Sequence, residues 1–376
     1  MCKSAISAIF ITMLIILSGC TKLPDKNNVH CETILKVNAN PKEVPIKSFF
    51  SSYEIIQLES EPQSLLSEID KAFCFDEGII LLDMRRSIVF LFNSDGSFRN
   101  RIGERGQGPE DYLSCCDFSF NTSTRAISLL SPFGEIINYN LNGQFLNRIT
   151  LPTKPNYLAC SWINKQDLAL WSAVNHNEAG VSVVNIESGK KYYEDWYNDR
   201  IIDMSRLKPF YYWNGSVYFA TPLTNIVYEI SDSVMRPSYM WDLGDKNTSE
   251  NYISKLIDIK DPSERNDKMI ADMESGSLTY PIFNGENEKY YFIALANGIG
   301  DSSEIMNILY DKSNSTGITV KRFTEGITLH PIFMNDDFIL SIVPPNEIAI
   351  YNSLLNTCYE CNEDDNQLLA KFHFNK

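Results

Sequence analysis

The amino-acid sequence predicts an all-β fold, a β-propeller of four-stranded antiparallel blades, on three observations. First, aromatic residues make up 12 % of the chain, and short apolar runs alternate with Gly, Asn, Asp and Ser, which is typical of strands and tight turns. Second, a pattern of apolar strand, glycine turn and second strand recurs, with Gly96, Gly143 and Gly189 spaced 47 and then 46 residues apart. Third, two more strand candidates precede each of these hairpins. One repeat therefore carries four strands, the content of one propeller blade.

The three regular repeats place the first three blades at about residues 69–103, 114–150 and 157–195. Two of their three hairpins have an Asx-Gly turn. This is a strong hairpin signal, because a type I′ turn needs two residues with positive φ. The local sequence therefore predicts these blades strand by strand.

The second half of the chain continues the pattern less regularly. A fourth blade is predicted over residues 209–243 and a fifth over 278–323. Between them, residues 247–275 carry apolar side chains at helical spacing, which predicts a helical insertion. The sixth blade follows, with a short helix at 344–356 and its third strand at 368–374.

The sixth blade lacks an outer strand, whereas the segment YEIIQL at residues 53–58 has no partner within its own part of the chain. We expect this N-terminal strand to complete the sixth blade, since closing the ring removes an exposed sheet edge. Residues 46–376 would then form a single six-bladed propeller domain. The irregular fourth to sixth repeats leave five or seven blades open as alternatives.

The N-terminal segment has the features of an export signal. Lys3 precedes an apolar run of 13 residues from Ala5 to Leu17, which is shorter than the ~20 residues of a membrane-spanning helix. The run ends in Leu17-Ser18-Gly19-Cys20, which resembles the lipobox of bacterial lipoproteins. Residues 1–19 are therefore predicted to be a signal peptide, and Cys20 the site of lipid attachment.

The mature chain is accordingly predicted to be an outer membrane lipoprotein, on the periplasmic face or the cell surface. Residues 20–45 are polar and interrupted by proline, which predicts a flexible tether. The formal net charge is −15 and there is no basic block, which argues against nucleic acid as a partner and against electrostatic binding to anionic lipid. The membrane is contacted through the lipid anchor.

Residues for metal or redox chemistry are present without a convincing pattern. The four histidines are scattered without ligand spacing, and the many acidic residues do not define a ligand set. Cys358 and Cys361 are predicted to form either a short local disulfide or two free thiols. No cofactor is predicted.

The most conspicuous motif is RIGERGQGPEDY at residues 101–112. It differs from the dinucleotide fingerprint and leads into a strand rather than a helix, which argues against a phosphate site. Two interpretations stay open. The motif is an interblade connection, or Glu110 and Asp111 border a ligand site. Its candidate residues are Gly103, Gly106, Gly108, Pro109, Glu110, Asp111 and Tyr112.

With this motif, the chain from about residue 45 to 376 resembles a family of bacterial six-bladed β-propeller lipoproteins, distantly similar to NHL-repeat propellers. The family's recurrent segment is I-G-x-x-G-x-G-P-G-E-Y/F after the first blade, represented here by residues 102–112. Glu110 stands where the family usually has Gly, and Asp111 where it has Glu. If that Gly needs a positive φ, Glu110 would be strained or the turn would differ. The resemblance implies a fold and an extracytoplasmic location, and no activity.

The predicted function is a binding or scaffolding module of the cell envelope, with an unknown envelope protein or a glycan as partner. The alternative is a propeller hydrolase or lactonase that acts on a carbohydrate or lactone, either with calcium or without it. Aromatic clusters at residues 192–197 and 210–213 could stack on sugars. They would equally serve as interblade core on alternate positions.

Overall fold

The chain folds as a six-bladed β-propeller, as the sequence predicts. The computed structural model describes residues 31–151, 157–172, 180–196, 208–221, 223–231, 234–300 and 303–376, the side chains of residues 192–196, 250 and 262 excepted. Cys31–Lys376 forms one compact unit. In this described part of the chain, no helix combines the length and the apolar character needed to cross a membrane.

The strands of the N-terminal half follow the predicted repeats. In chain order they are β1 (Thr33–Lys36), β2 (Phe50–Ile56), β3 (Lys71–Phe75), β4 (Gly78–Asp83), β5 (Ile88–Phe92), β6 (Phe98–Arg101), β7 (Asp117–Asn121), β8 (Ala126–Ser131), β9 (Glu135–Tyr139), β10 (Phe145–Thr150), β11 (Tyr157–Trp162), β12 (Asp167–Ser172), β13 (Gly180–Asn185) and β14 (Lys191–Trp196).

The described residues of the C-terminal half add three α-helices and eleven strands. They are β15 (Phe210–Trp213), β16 (Ser216–Ala220), β17 (Ile226–Ser231), β18 (Val234–Asp242), α1 (Glu250–Asp258), α2 (Pro262–Glu274), β19 (Thr279–Glu286), β20 (Tyr290–Asn297), β21 (Glu304–Asp311), β22 (Thr316–Val320), β23 (Pro331–Met334), β24 (Phe338–Ile342), α3 (Ile348–Leu355) and β25 (Leu369–Phe374).

Each blade is an antiparallel meander that begins at the ring axis. Blades 1 to 5 are β3–β6, β7–β10, β11–β14, β15–β18 and β19–β22 in order. Blade 6 contains β23, β24 and β25, and β2 pairs antiparallel with β25 from Phe50 opposite Phe374 to Ile56 opposite Leu369. The prediction that an N-terminal strand closes the ring is thus confirmed.

One N-terminal segment departs from the sequence-based expectation. β1 pairs in parallel with β18 and makes blade 4 five-stranded, with Leu35 opposite Trp241. Leu35 and Val37 are buried in the apolar cluster that contains Trp241. Residues 33–36, predicted to belong to the flexible tether of residues 20–45, are therefore a strand of the propeller. The predicted signal peptide and Cys20 lie outside the described residues.

The core lies between the blades. All six residues are buried in each of the second or third strands β4, β8 and β13, because neighbouring blades cover both faces of these strands. The outer strand β10 is mostly half-buried or exposed. A strand buried on both faces loses the alternation of apolar and polar residues, and this explains the continuous apolar runs of the sequence.

The predicted helical insertion is confirmed as α1 and α2. The Ser249 hydroxyl caps α1 by accepting from the Tyr252 N–H, and the Asp261 carboxylate caps α2 by accepting from the Ser263 and Glu264 N–H groups. The two helices pack on blade 4 and blade 5 connections through a small apolar cluster. Its fully buried members are Leu223, Leu256, Met269, Met273 and Leu278. The third helix, α3, lies within the predicted segment 344–356.

Candidate ligand channel

The first strands of the six blades surround an axial cavity of about 340 Å³. This volume is at the lower end of small-molecule sites, which span roughly 300–1,000 Å³. Every one of these inner strands has an aromatic residue at the wall. The aromatic residues are Phe73, Phe118, Phe120, Trp162, Phe210, Tyr211, Tyr212, Phe283 and Phe333. Four of these rings, those of Phe118, Phe120, Trp162 and Phe210, are buried in the apolar clusters between blades, so the wall is partly aromatic and partly polar.

Tyr212 is the aromatic residue most available to a ligand. Its side chain is 51 % exposed, whereas Phe210 is buried between blades and the Tyr211 ring stacks on Tyr218 with centroids 4.9 Å apart. Phe210 and Tyr211 thus serve as interblade core, and sugar stacking by residues 210–213 stays a prediction. Tyr212 borders the channel and has the largest exposed fraction of these aromatic residues. The side chains of the second cluster, residues 192–197, lie outside the described part of the structure.

Two further wall residues define the polar character of the channel. The Asn284 side chain borders the cavity, and its Oδ1 atom has no hydrogen-bond partner among the described residues. This oxygen is enclosed by protein atoms and is not exposed to the cavity. Across the ring, the Trp162 indole N–H donates to the Ser128 hydroxyl at 2.8 Å, which fixes the orientation of that ring.

A charged cluster lies where the inner strands begin. Asp117, the first residue of β7, is completely buried, and its carboxylate is 2.9 Å from the Lys71 ammonium. Asp117 Oδ2 also accepts from the Cys160 N–H at 2.8 Å. The Lys208 ammonium is 3.9 Å from Asp117 and donates to the Cys116 carbonyl at 2.7 Å. Both lysines line the channel, and this end of the channel therefore carries two cations around one carboxylate.

Asp117 also begins a ladder that joins blade 2 to blade 3. Alternate side chains of β7 bond the backbone of β11 and of the turn after it: Asp117 as above, Ser119 by accepting from the Trp162 N–H at 3.1 Å, and Asn121 by donating to the Asn164 carbonyl at 3.4 Å. The inner strands have no strand neighbour on the axis side, so such side chains satisfy backbone groups that a sheet would otherwise pair.

The opposite end of the channel is formed by turns that follow the inner strands. In four of the six blades an asparagine side chain closes this turn by accepting from two backbone N–H groups, as in Asn121 with Ser123 and Thr124, both at 3.1 Å. Asn121 is four residues from Asp117, so the two ends of the channel lie ~13 Å apart along the strand. The same turn is made by Asn164, Asn287 and Asn335.

The motif at residues 101–112 forms the connection between blades 1 and 2. The Asp111 carboxylate accepts from the Gly108 N–H at 2.8 Å and occupies the space that a side chain at Gly106 would need. Tyr112 is buried, and its N–H donates to the Glu104 carbonyl at 3.0 Å. These bonds fold the loop back on itself, which explains the close glycines.

The remaining motif residues lie outside the cavity wall. Pro109 and Glu110 are exposed, and the Glu110 carbonyl accepts from the Tyr139 hydroxyl at 2.7 Å. Glu110 does not have a positive φ. Glu in place of the family's Gly therefore brings no backbone strain at this position. None of the motif residues lines the channel. The interpretation as an interblade connection accounts for their contacts.

A second buried charge, Glu286, fastens blade 4 to blade 5. Its carboxylate is 2.6 Å from the Lys312 ammonium and accepts from the Tyr211 hydroxyl at 3.2 Å. The Lys312 ammonium lies 3.9 Å from the Trp213 ring centroid and 4.4 Å from that of Tyr291. Burial raises the pKa of Glu286, and the hydrogen bond and charge of Lys312 act against that rise. This cluster satisfies its own groups and is an interblade contact.

The described residues offer little for covalent or metal chemistry. They contain no group of three or more His, Cys, Asp or Glu side chains that could hold a metal ion. Cys358 and Cys361 are free thiols, the second of the two predicted states. Burial raises the pKa of the channel residue Cys74 to about 12, so its sulfur is a neutral thiol at physiological pH. No observation favours the hydrolase or lactonase, which stays a prediction.

Comparisons with known proteins agree with this fold. A family model described as "Domain of unknown function (DUF4934)" matches residues 32–373. The structure of a "Putative exported protein" from Bacteroides fragilis superposes with a TM-score of 0.71 at 16 % identity, covering 92 % of this chain and 100 % of that one. A member of the duf4221 family from Bacteroides vulgatus gives a TM-score of 0.51 at 9 % identity, covering 87 % and 97 %. No curated protein matches significantly.

Proposed function

The chain belongs to the DUF4934 family, and we propose that it is a lipid-anchored binding module of the cell envelope that holds a glycan in its axial channel. The observation that carries the proposal is the composition of the channel wall. It places aromatic residues of all six inner strands at the wall, beside the half-exposed Tyr212 and polar residues such as Ser161 and Lys208.

A sugar fits each of these features. The C–H faces of a pyranose ring stack on aromatic rings, while its hydroxyl groups donate hydrogen bonds at the rim. The hydroxyl groups could pair with polar wall residues such as Ser161. A purely apolar ligand would cover such groups without pairing them, at a cost of about 1–3 kcal/mol each.

The location is inferred from the first twenty residues. A short apolar run after Lys3 and the sequence Leu17-Ser18-Gly19-Cys20 favour export, cleavage before Cys20 and acylation of its thiol. Several acyl chains, each contributing about 0.8 kcal/mol per buried CH₂, would anchor the protein stably. The likeness to an exported propeller is consistent with this location.

Labelling of expressing cells with radioactive palmitate tests the anchor. We expect the wild-type protein to be labelled and Cys20→Ala to lose the label, because the thioether forms on that thiol. Cys31→Ala, which removes the first thiol of the described chain, should be labelled like the wild type. Equal labelling of Cys20→Ala and the wild type would refute the lipoprotein assignment.

The glycan proposal predicts a specific role for Tyr212. Tyr212→Ala removes the exposed ring from the channel and should weaken binding of a neutral disaccharide by about tenfold, because stacking on an aromatic ring contributes roughly 1 kcal/mol beyond its buried area. Isothermal titration calorimetry with cellobiose, lactose, maltose and mannobiose measures this.

Phe133→Ala is the matched control for Tyr212→Ala. Phe133 is 62 % exposed and does not line the channel, so its loss should leave the affinity unchanged. If wild-type protein binds none of the disaccharides, or if both variants bind as tightly as wild type, the channel is not a glycan site.

A further inference from the structure

We propose that the preferred ligand of the channel is an acidic sugar, a uronic acid whose carboxylate pairs with Lys208. This inference rests on the proposed function and specifies its ligand. It follows from the charged cluster at the start of the inner strands, where Lys71, Lys208 and Asp117 meet at the channel wall.

Within this cluster Lys71 donates hydrogen bonds to Asp117, whereas Lys208 does not. Lys71 lies 2.9 and 3.1 Å from the two Asp117 oxygens and donates to the Phe118 carbonyl at 2.7 Å. The remaining strong contact of Asp117 is the Cys160 N–H at 2.8 Å. The carboxylate is therefore satisfied without Lys208.

Lys208 is the cation with unused donors. Its side chain is only 10 % exposed, and its ammonium is 3.9 Å from the nearest Asp117 oxygen. Of its three N–H groups, one donates to the Cys116 carbonyl at 2.7 Å, and a weak contact reaches the Met84 sulfur at 3.7 Å. A largely buried ammonium is stabilised most by a close anion, and the channel is the space from which one can approach.

Asp70, the other carboxylate on this part of the wall, does not serve as the close anion of Lys208. Asp70 Oδ2 accepts from the Met84 N–H at 2.7 Å, and among the described residues no ion pair within 4.0 Å joins Asp70 to Lys71 or Lys208. Lys208 is a single cation without a close anion, so it matches a ligand that carries a single negative charge. A carboxylate at the end of a sugar chain supplies this single charge, whereas a phosphate monoester would bring nearly two.

The test compares sugars that differ in a single group. Calorimetry is run with glucose-, galactose- and mannose-based disaccharides, each beside its uronic acid, in which the terminal C6 hydroxymethyl is a carboxylate. We expect wild-type protein to bind the acid about tenfold more tightly than its neutral partner at low salt, and the preference to shrink at high salt. The C6 sulfate of each disaccharide is measured alongside.

Lys208→Met should abolish the preference for the acid over its neutral partner. The variant should fold, because Asp117 keeps Lys71 as its ion-pair partner, and circular dichroism melting checks this. Lys208→Arg should retain the preference. Lys321→Met, which removes an exposed cation paired with Glu304 away from the channel, should behave like the wild type.

The outcomes separate this inference from the proposed function. If neutral sugars bind through Tyr212 but acids bind no better, or if Lys208→Met keeps the preference, the inference fails and the glycan site stands. Tighter binding of the sulfates than of the carboxylates would overturn the uronic acid. If neither acidic nor neutral sugars bind, both fail.

Discussion

Asp117→Ala is expected to lower the free energy of unfolding by about 3–5 kcal/mol. The carboxylate is completely buried, compensates Lys71 at 2.9 Å and Lys208 at 3.9 Å, and accepts the Cys160 N–H. Its removal leaves two largely buried ammonium groups without their shared anion and one backbone donor without an acceptor. Urea denaturation followed by far-UV circular dichroism measures the loss.

Two variants distinguish the contribution of a buried ion pair to stability from that of an exposed one. Glu77→Ala breaks the exposed ion pair with Arg125, whose atoms are 2.8 Å apart, and should cost less than about 1 kcal/mol because solvent screens it. Asp117→Asn keeps an acceptor for the Cys160 N–H, so its loss of unfolding free energy should lie between those of Asp117→Ala and Glu77→Ala. A loss for Asp117→Ala as small as that for Glu77→Ala would mean that the cluster contributes little to the stability of blades 1 to 3.

The blades could be predicted from the sequence because hairpin turns and apolar strands are local patterns. Hairpin turns at Gly96, Gly143 and Gly189 all have positive φ in the structure, as the Asx-Gly and Ser-Gly patterns predict. The closing strand was accessible for a related reason: one apolar segment remained unpaired and one blade was incomplete. β1 was missed because four residues, TILK, lie among polar residues and prolines, and their burial depends on contact with Trp241 far along the chain.

The charged cluster at the channel could not be predicted from local patterns. Lys71, Asp117 and Lys208 belong to three different blades, and each is unremarkable beside its neighbours in sequence. Only the closed ring brings the starts of the inner strands together. Asn284 has the same difficulty, because its unpaired oxygen is defined by what the neighbouring blades fail to supply. Tyr212 was within reach, because the sequence marks residues 210–213 as an aromatic cluster and alternation along β15 separates Tyr212 from Tyr211 and Trp213.

Gly103→Ala is expected to lower the free energy of unfolding by about 3 kcal/mol, from a positive φ and from overpacking. Gly103 has a φ of +70°, and a Cβ there would lie 2.4 Å from the Cζ of Tyr139. That ring is buried, and its hydroxyl holds the Glu110 carbonyl at 2.7 Å, so it cannot move aside without breaking the folded loop of the motif. Thermal and urea unfolding by circular dichroism measure the change.

Gly189→Ala isolates the backbone part of this effect. Gly189 has a φ of +65°, nearly that of Gly103, and a Cβ there would meet no atom within 4 Å. Its substitution should cost about 1 kcal/mol, from the left-handed conformation alone. The difference between the two variants is then the cost of displacing Tyr139, and it should shrink when Tyr139→Val removes the ring, so that the Gly103→Ala and Tyr139→Val losses are less than additive. Equal losses for the two glycine substitutions would show that Tyr139 yields freely, and that the first motif glycine is needed only for its φ.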